Sequence, residues 1–137
     1  MIHVQGGCLC GKVRYTVSGD VIFSGVCHCT SCKKSTGSAF SAVFAVPSPA
    51  VQVSGELSTY VGQGDSGNAT TKRFCPNCGS QVFGEAAIMP DVTMVDIGTL
   101  DEPASVPLQM HIYCRSKLDW VQVPEGIGAF ETMPTGP

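Results

Sequence analysis

The sequence predicts a mainly β domain of short antiparallel strands, and three observations carry that expectation. Sixteen glycines and nine prolines in 137 residues supply many turns. Apolar residues recur either in strict alternation or in short runs bounded by turn-forming residues, the two signatures of half-buried and buried strands. No window carries a long apolar stripe at helical spacing.

Taken in order, Val13, Tyr15 and Val17 alternate with Lys12, Arg14 and Thr16, the pattern of a strand with one buried face. Residues 21–26 form a second apolar run that leads into Cys27. Residues 39–46 read Ala-Phe-Ser-Ala-Val-Phe-Ala-Val, a buried strand stopped by Pro47 and Pro49, which cannot extend a ladder. Val51-Gln52-Val53 and the stretches 57–61, 70–74, 81–83, 92–97 and 110–113 continue the series. Between them lie turn-prone segments such as 62–68 and Asp101-Glu102-Pro103. The best helix candidate is a turn or two at residues 30–35, directly beside cysteines.

The totals narrow the function. A 43% hydrophobic content is enough for a real core, and the length suits one domain. A net charge of -3 and a pI of 5.4 argue against a chain built to neutralise phosphates, so no nucleic-acid partner is expected. Residues 1–7 lack a basic start followed by an apolar run, and no eighteen-residue apolar stretch occurs. Neither export nor a membrane is therefore expected. The expectation is a cytoplasmic protein whose cysteines sit in a reducing compartment and hold metal rather than disulfides.

Seven of the eight cysteines fall into three clusters. Cys8-Leu9-Cys10 is a C-x-C flanked by glycines, and Cys27-His28-Cys29-Thr30-Ser31-Cys32 overlays a C-x-C on a C-x2-C. Cys75-Pro76-Asn77-Cys78-Gly79 is a zinc knuckle, in which two thiolates converge while glycine lets the backbone turn behind them. A redox C-x2-C opens a helix after a strand, whereas Cys75 and Cys78 join two expected strands. Zinc takes four ligands, so the pairs must meet in space, and seven thiols divide as four plus three. Four thiolates close a structural site, and three leave a coordination position open. Spacing alone does not say which pair joins which.

Three ordered segments then resemble one family. They are Gly6-Gly7-Cys8-Leu9-Cys10-Gly11, Cys27-His28-Cys29-Thr30-Ser31-Cys32-Lys33-Lys34-Ser35-Thr36-Gly37 and Arg73-Phe74-Cys75-Pro76-Asn77-Cys78-Gly79. Together they resemble the glutathione-dependent formaldehyde-activating enzymes, also called the centromere-protein-V family. Ile97-Gly98-Thr99-Leu100-Asp101 and the segment from His111 to Trp120 fit its usual ending, so the resemblance runs from about Val4 to Trp120. It implies a β-tent fold with zinc knuckles in a single domain over residues 4–122, followed by a C-terminal tail at 123–137. It also implies two zinc ions per chain. Cys8, Cys10, Cys75 and Cys78 would hold a structural ion, and Cys27, Cys29 and Cys32 a functional one. Cys114 departs from the family pattern, which has a small or apolar residue there, and is read as a buried strand thiol.

The activity so implied is carbon–sulfur lyase chemistry: condensation of glutathione, or another thiol, with formaldehyde or a related aldehyde, and its reverse. Lys33 and Lys34 follow the ligand loop and are candidate contacts for the carboxylates of glutathione, or else a solvated surface pair. His28 lies between ligands at alternate positions, so its side chain should point away from the metal. His111 is expected near the core with Trp120, and His3 is expected exposed. Ser35, Thr36 and Ser38 are pocket or turn residues around Gly37, and Phe40 and Phe44 are core candidates. Two non-enzymatic readings stand beside this one. One is a carrier of glutathione or its adduct, since thiols add to formaldehyde unaided; the other is a two-zinc domain that only contacts another protein.

Overall fold

Alternation in the first twenty residues folds the chain back on itself. In the computed structural model, which describes residues 1–134, strand β1 (Ile2–Gly7) pairs antiparallel with β2 (Arg14–Gly19) from Ile2↔Gly19 to Gly7↔Arg14. Strand β5 (Val51–Ser54) adds to the other side of β2 and completes a three-stranded sheet. The period-two pattern turns Val13, Tyr15 and Val17 inward, each buried.

The second sheet has eight strands in the order β11-β10-β3-β4-β9-β8-β7-β6. These are β3 (Phe23–Cys27), β4 (Ser41–Pro47), β6 (Ser58–Gln63), β7 (Ala69–Phe74), β8 (Gln81–Ala86), β9 (Val92–Asp96), β10 (Met110–Ile112) and β11 (Gly128–Ala129). All neighbours run antiparallel except β10, which lies parallel to both β3 and β11. The one α-helix among the described residues, α1 (Thr30–Thr36), follows β3 and ends at Gly37 in the left-handed conformation. The mainly β expectation holds. The strands absent from the sequence reading are β1 and β11.

The two faces of the large sheet have different jobs. One packs on the small sheet, where Phe44, Val46, Val82, Phe83 and Val95 meet Val13, Tyr15 and Val17 in one buried cluster. Tyr15 and Phe83 meet edge to face at 5.1 Å, and the Tyr15 hydroxyl bonds Thr99 Oγ1 at 2.7 Å. Gly6 is required here, because a Cβ would lie 2.4 Å from both the Thr99 carbonyl and the Tyr15 hydroxyl. The other face carries Val43, Gly84, Met94 and Asp96 and lines a pocket.

Within the segment expected as a tail, Gly128–Ala129 joins the large sheet and residues 130–133 pack beside it. β11 lies beside β10, and Phe130 N–H donates to His111 O at 2.9 Å. Tyr113 N–H donates to Thr132 O at 3.0 Å, and Phe130 and Met133 pack against the second cysteine cluster. The rest of that segment, residues 135–137, lies outside the described residues. Among the described residues no helix is long and apolar enough to cross a membrane.

Candidate metal centres and the pocket beside them

The β1–β2 loop and the β7–β8 turn bring four thiols together. The Sγ atoms of Cys8, Cys10, Cys75 and Cys78 all lie within 4.8 Å of one another. Cys8 to Cys10 is 3.6 Å and Cys10 to Cys75 is 3.8 Å. Those lengths suit a tetrahedron of thiolates about 2.3 Å from a central ion, whose edges are about 3.8 Å, and exceed the ~2.05 Å of a disulfide. Backbone donors face the sulfurs: Val13 N–H reaches Cys8 Sγ at 3.2 Å and Asn77 N–H reaches Cys75 Sγ at 3.4 Å. Gly79, at φ +79°, turns the knuckle so that its N–H meets Cys75 O at 2.8 Å. Ser80 joins the two loops, its Oγ accepting from Leu9 N–H at 3.0 Å and lying 3.3 Å from Cys78 Sγ. Bonding to the Ser80 side chain, then to backbone N–H groups, pushes the Cys78 thiol down to about 5. The donor set fits a soft divalent cation.

The second group is Cys27, Cys29 and Cys32, again with Sγ atoms within 4.8 Å. Cys27 ends β3, Cys29 caps α1, and Cys32 lies in its first turn with its N–H donating to Cys29 Sγ at 3.2 Å. The three thiols share protons. Hydrogen bonds from Cys27 and Cys29 push Cys32 well down, and those with Cys29 and Cys32 push Cys27 far up. Such a cluster readily carries one negative charge, but full ionisation needs a cation. The buried Ser41 hydroxyl makes no other hydrogen bond among the described residues, and beside Cys32 it favours that thiolate. This group also fits a metal, with one coordination position fewer filled by protein.

A pocket of about 130 Å³ opens beside the three thiols. Its floor is the free face of the large sheet, its walls are α1 and the 64–66 loop, and Tyr113 and Met133 close one end. Asp65 fastens this loop to the helix, accepting from Thr30 N–H at 2.9 Å and Ser31 N–H at 3.3 Å. Tyr113 adopts φ +55°, which a bulky residue rarely does. Two charged groups rise from the floor, Lys72 and Asp96. Gln81 Nε2 donates to Asp96 Oδ2 at 3.0 Å. Burial pushes the Asp96 carboxyl up to about 7, against the opposing effects of Gln81 and Lys72.

The remaining candidates fall elsewhere. Neither Lys33 nor Lys34 is on the pocket wall: Lys33 Nζ donates to Ser116 O at 2.6 Å, and Lys34 is exposed. Lys33 thus ties α1 to the 114–116 segment, and Lys34 points to solvent. Ser35 and Thr36 hydroxyls donate to Cys32 O, and Ser38 N–H donates to Thr36 Oγ1, so all three serve the helix end. His28 is fully buried, its Nε2 2.9 Å from His111 Nδ1. Burial, then His111, pushes His28 down to about 4. His111 does not pack with Trp120, which is 73% exposed; its partner is His28. Phe44 is in the core, Phe40 meets His28 edge-on, and His3 is exposed. Cys114 joins neither cluster; its Sγ contacts His111 O at 3.7 Å. Lys72, Asp96 and Tyr113 were not singled out from sequence, because strand pairing and one bent residue bring them to the thiols.

Comparison with known proteins agrees with this geometry. The sequence model of the family described as glutathione-dependent formaldehyde-activating enzyme matches residues 3–116. A Phaeosphaeria nodorum protein provisionally named as such an enzyme is 33% identical over 87 residues, covering 60% of this chain and 45% of its own. An Emericella nidulans protein of the same provisional name is 33% identical over 82 residues, covering 59% and 41%. The chain thus spans less than half the length of these fungal relatives. A Halomonas elongata relative, also so named, is 24% identical over 126 residues, covering 88% of this chain and 80% of its own. A Rhodobacter sphaeroides crystal structure shares the fold, with a TM-score of 0.57 at 19% identity over 92% of this chain and 98% of that one. The chain belongs to the glutathione-dependent formaldehyde-activating enzyme family.

Proposed function

We propose that this chain is a zinc-dependent enzyme that joins glutathione, or a related thiol, to formaldehyde or a related aldehyde and cleaves the same adduct. The observation that carries this reading is the unequal division of the cysteines. Four thiols close on one another between two loops, and three line a pocket. Cys8, Cys10, Cys75 and Cys78 would hold a structural ion, and Cys27, Cys29 and Cys32 a second, accessible one. An ion held by three thiolates supplies a place where a thiol loses its proton and an aldehyde oxygen is polarised.

The chain's own residues do the rest. Val43, Met94, Ile112 and Met133 give the pocket apolar walls that exclude water from the reacting sulfur. The α1 cap holds Cys29 and Cys32 at fixed separation, and Asp65 keeps the opposing loop against them. In the forward direction the thiol sulfur bonds to the carbonyl carbon, and the carbonyl π pair moves to oxygen. The thiol proton ends on that oxygen, giving R–S–CH2OH. The reverse reaction returns the proton to sulfur as the carbon–sulfur bond breaks, so no oxidant or reductant is consumed.

The test is an exchange measurement. Interconversion of glutathione, formaldehyde and adduct is followed by NMR at equilibrium, with metal content per chain measured in parallel. Two zinc equivalents and exchange above the buffer rate are expected. Cys29→Ser should remove the rate gain while the far-UV circular dichroism persists. A chain that binds glutathione in calorimetry yet leaves exchange at the buffer rate is a carrier, and the enzymatic reading is then wrong.

A further inference from the structure

Lys72 and Asp96 stand unmatched on the pocket floor. On the large sheet Lys72 of β7 pairs with Gly84 of β8, which pairs with Met94 of β9, and Asp96 follows two residues on along the same face. The two residues rise from strands separated by one intervening strand, about two spacings of ~4.8 Å, with Asp96 a further ~6.8 Å along β9. Gly84 lies between them and offers no side chain to fill the gap.

Other charges in the two sheets are paired. Arg14 is bound to Asp101 through both guanidinium nitrogens, at 2.9 and 2.6 Å, and Arg73 is bound to Glu85 at 2.6 Å. Lys72, one residue before Arg73, has neither an ion pair nor a side-chain hydrogen bond among the described residues. Among the described residues Asp96 takes one side-chain hydrogen bond, on Oδ2 from Gln81, and none on Oδ1. The lysine and the aspartate form no direct ion pair, since no N···O approach of 4.0 Å or less joins them. A charged or polar group at the edge of apolar walls gains from a partner that enters to meet it. The entering group would offer an anion to Lys72 and a cation to Asp96. An α-amino carboxylate does both.

We propose that Lys72 and Asp96 are a paired anchor for the zwitterionic head of the thiol, Lys72 receiving its carboxylate and Asp96 its ammonium. The inference rests on the reading that a thiol binds at Cys27, Cys29 and Cys32, and it names what that thiol must carry. It also moves substrate recognition away from Lys33 and Lys34, which stand outside the pocket. The head has two sources, a free amino acid of cysteine type or the γ-glutamyl end of a glutathione-like peptide.

The test is calorimetric titration of the metal-loaded chain, of Lys72→Met and of Asp96→Asn, with five thiols. These are glutathione, cysteine, N-acetylcysteine (no ammonium), cysteamine (no carboxylate) and 2-mercaptoethanol (neither). Equal metal content across the three proteins shows both centres intact, and Lys72→Gln replaces Lys72→Met if it does not. Removing one charge-assisted contact weakens binding about tenfold. Lys72→Met should therefore weaken cysteine and N-acetylcysteine and leave cysteamine unchanged. Asp96→Asn should weaken cysteine and cysteamine and leave N-acetylcysteine unchanged. All three proteins should bind 2-mercaptoethanol alike. Tighter binding of glutathione than of cysteine assigns the head to the γ-glutamyl end, and the reverse order assigns it to a single amino acid. If both variants bind cysteine and glutathione as the parent does, while 2-mercaptoethanol still binds, the anchor is refuted and the thiol site stands. If 2-mercaptoethanol does not bind the parent chain, the thiol site itself falls, and the anchor with it.

Discussion

Replacing one thiol in each cluster should have opposite consequences, and the structure sets the size of the difference. Cys75 is 1% exposed and packs in the main core with Val13, Phe83 and Val95. Its cluster also ties the β1–β2 loop to the β7–β8 turn across more than sixty residues, through the 3.8 Å Cys10–Cys75 contact. A structural zinc in a small domain contributes an apparent ~10–16 kcal/mol. The net stability of a whole domain is about 5–15 kcal/mol. Cys75→Ser should therefore leave no folded population, and Cys8→Ser should do the same. Cys32 lies in a helix with no buried residues, beside a small separate cluster formed by Cys27, Cys29 and Ile112. Loosening that helix exposes little apolar area, so Cys32→Ser should lose one metal equivalent and keep its sheets. The assay combines elemental analysis with thermal unfolding followed by circular dichroism. Equal destabilisation by Cys75→Ser and Cys32→Ser would refute the division into a structural and an accessible centre. So would a Cys75→Ser chain that stays folded with one metal.

Three further outcomes follow from single features. The buried His28–His111 pair should behave as a unit: His28→Phe or His111→Leu alone costs about 1–3 kcal/mol by orphaning the other ring, while the double change costs less than the sum; additive values in urea unfolding would show that the 2.9 Å contact carries no coupling. At Gly84 an added Cβ meets nothing closer than Thr71 O at 3.7 Å, so Gly84→Val should keep the melting temperature and weaken thiol binding severalfold; unchanged affinity in calorimetry would mean that thiols do not reach the sheet floor. The Arg14–Asp101 pair holds the Asp101 carboxyl below its ordinary value of 3.8; its contribution is complete above that value and lost as pH falls through the lower folded one, so Asp101→Asn should flatten the acid limb of stability at low salt, and an unchanged limb would contradict the pairing.

What the sequence disclosed depended on how local each signal was. β2 was legible because Val13, Tyr15 and Val17 alternate within one strand, and β4 because Pro47 closes a continuous apolar run. The α1 turn was legible beside its cysteines. β11 was not, since two residues carry no period and the strand exists only because β10 offers it an open edge. Cysteine spacing divides the thiols into four and three but does not decide which loops meet; that depends on how the small sheet docks. The charged pocket residues were hidden for the same reason. Lys72 and Asp96 are 24 residues apart and share a face only through the β7–β8–β9 pairing. Lys33 and Lys34, adjacent to the second cysteine cluster in sequence, lie outside the pocket, Lys33 bound to Ser116 O.

The same strands write both the core and the pocket, and the pleat keeps the two separate. On β4, Phe44 and Val46 enter the core while Ser41 and Val43 line the pocket. On β9, Val95 is buried between Met94 and Asp96, which face the other way. A one-residue slip would exchange the faces, putting Asp96 against Tyr15 and Phe83 and turning Val95 into the pocket. Register is therefore fixed by the core, and the pocket inherits its geometry without having to stabilise it. Substitutions at residues 72, 84 and 96 should therefore alter the pocket while leaving the buried cluster in place.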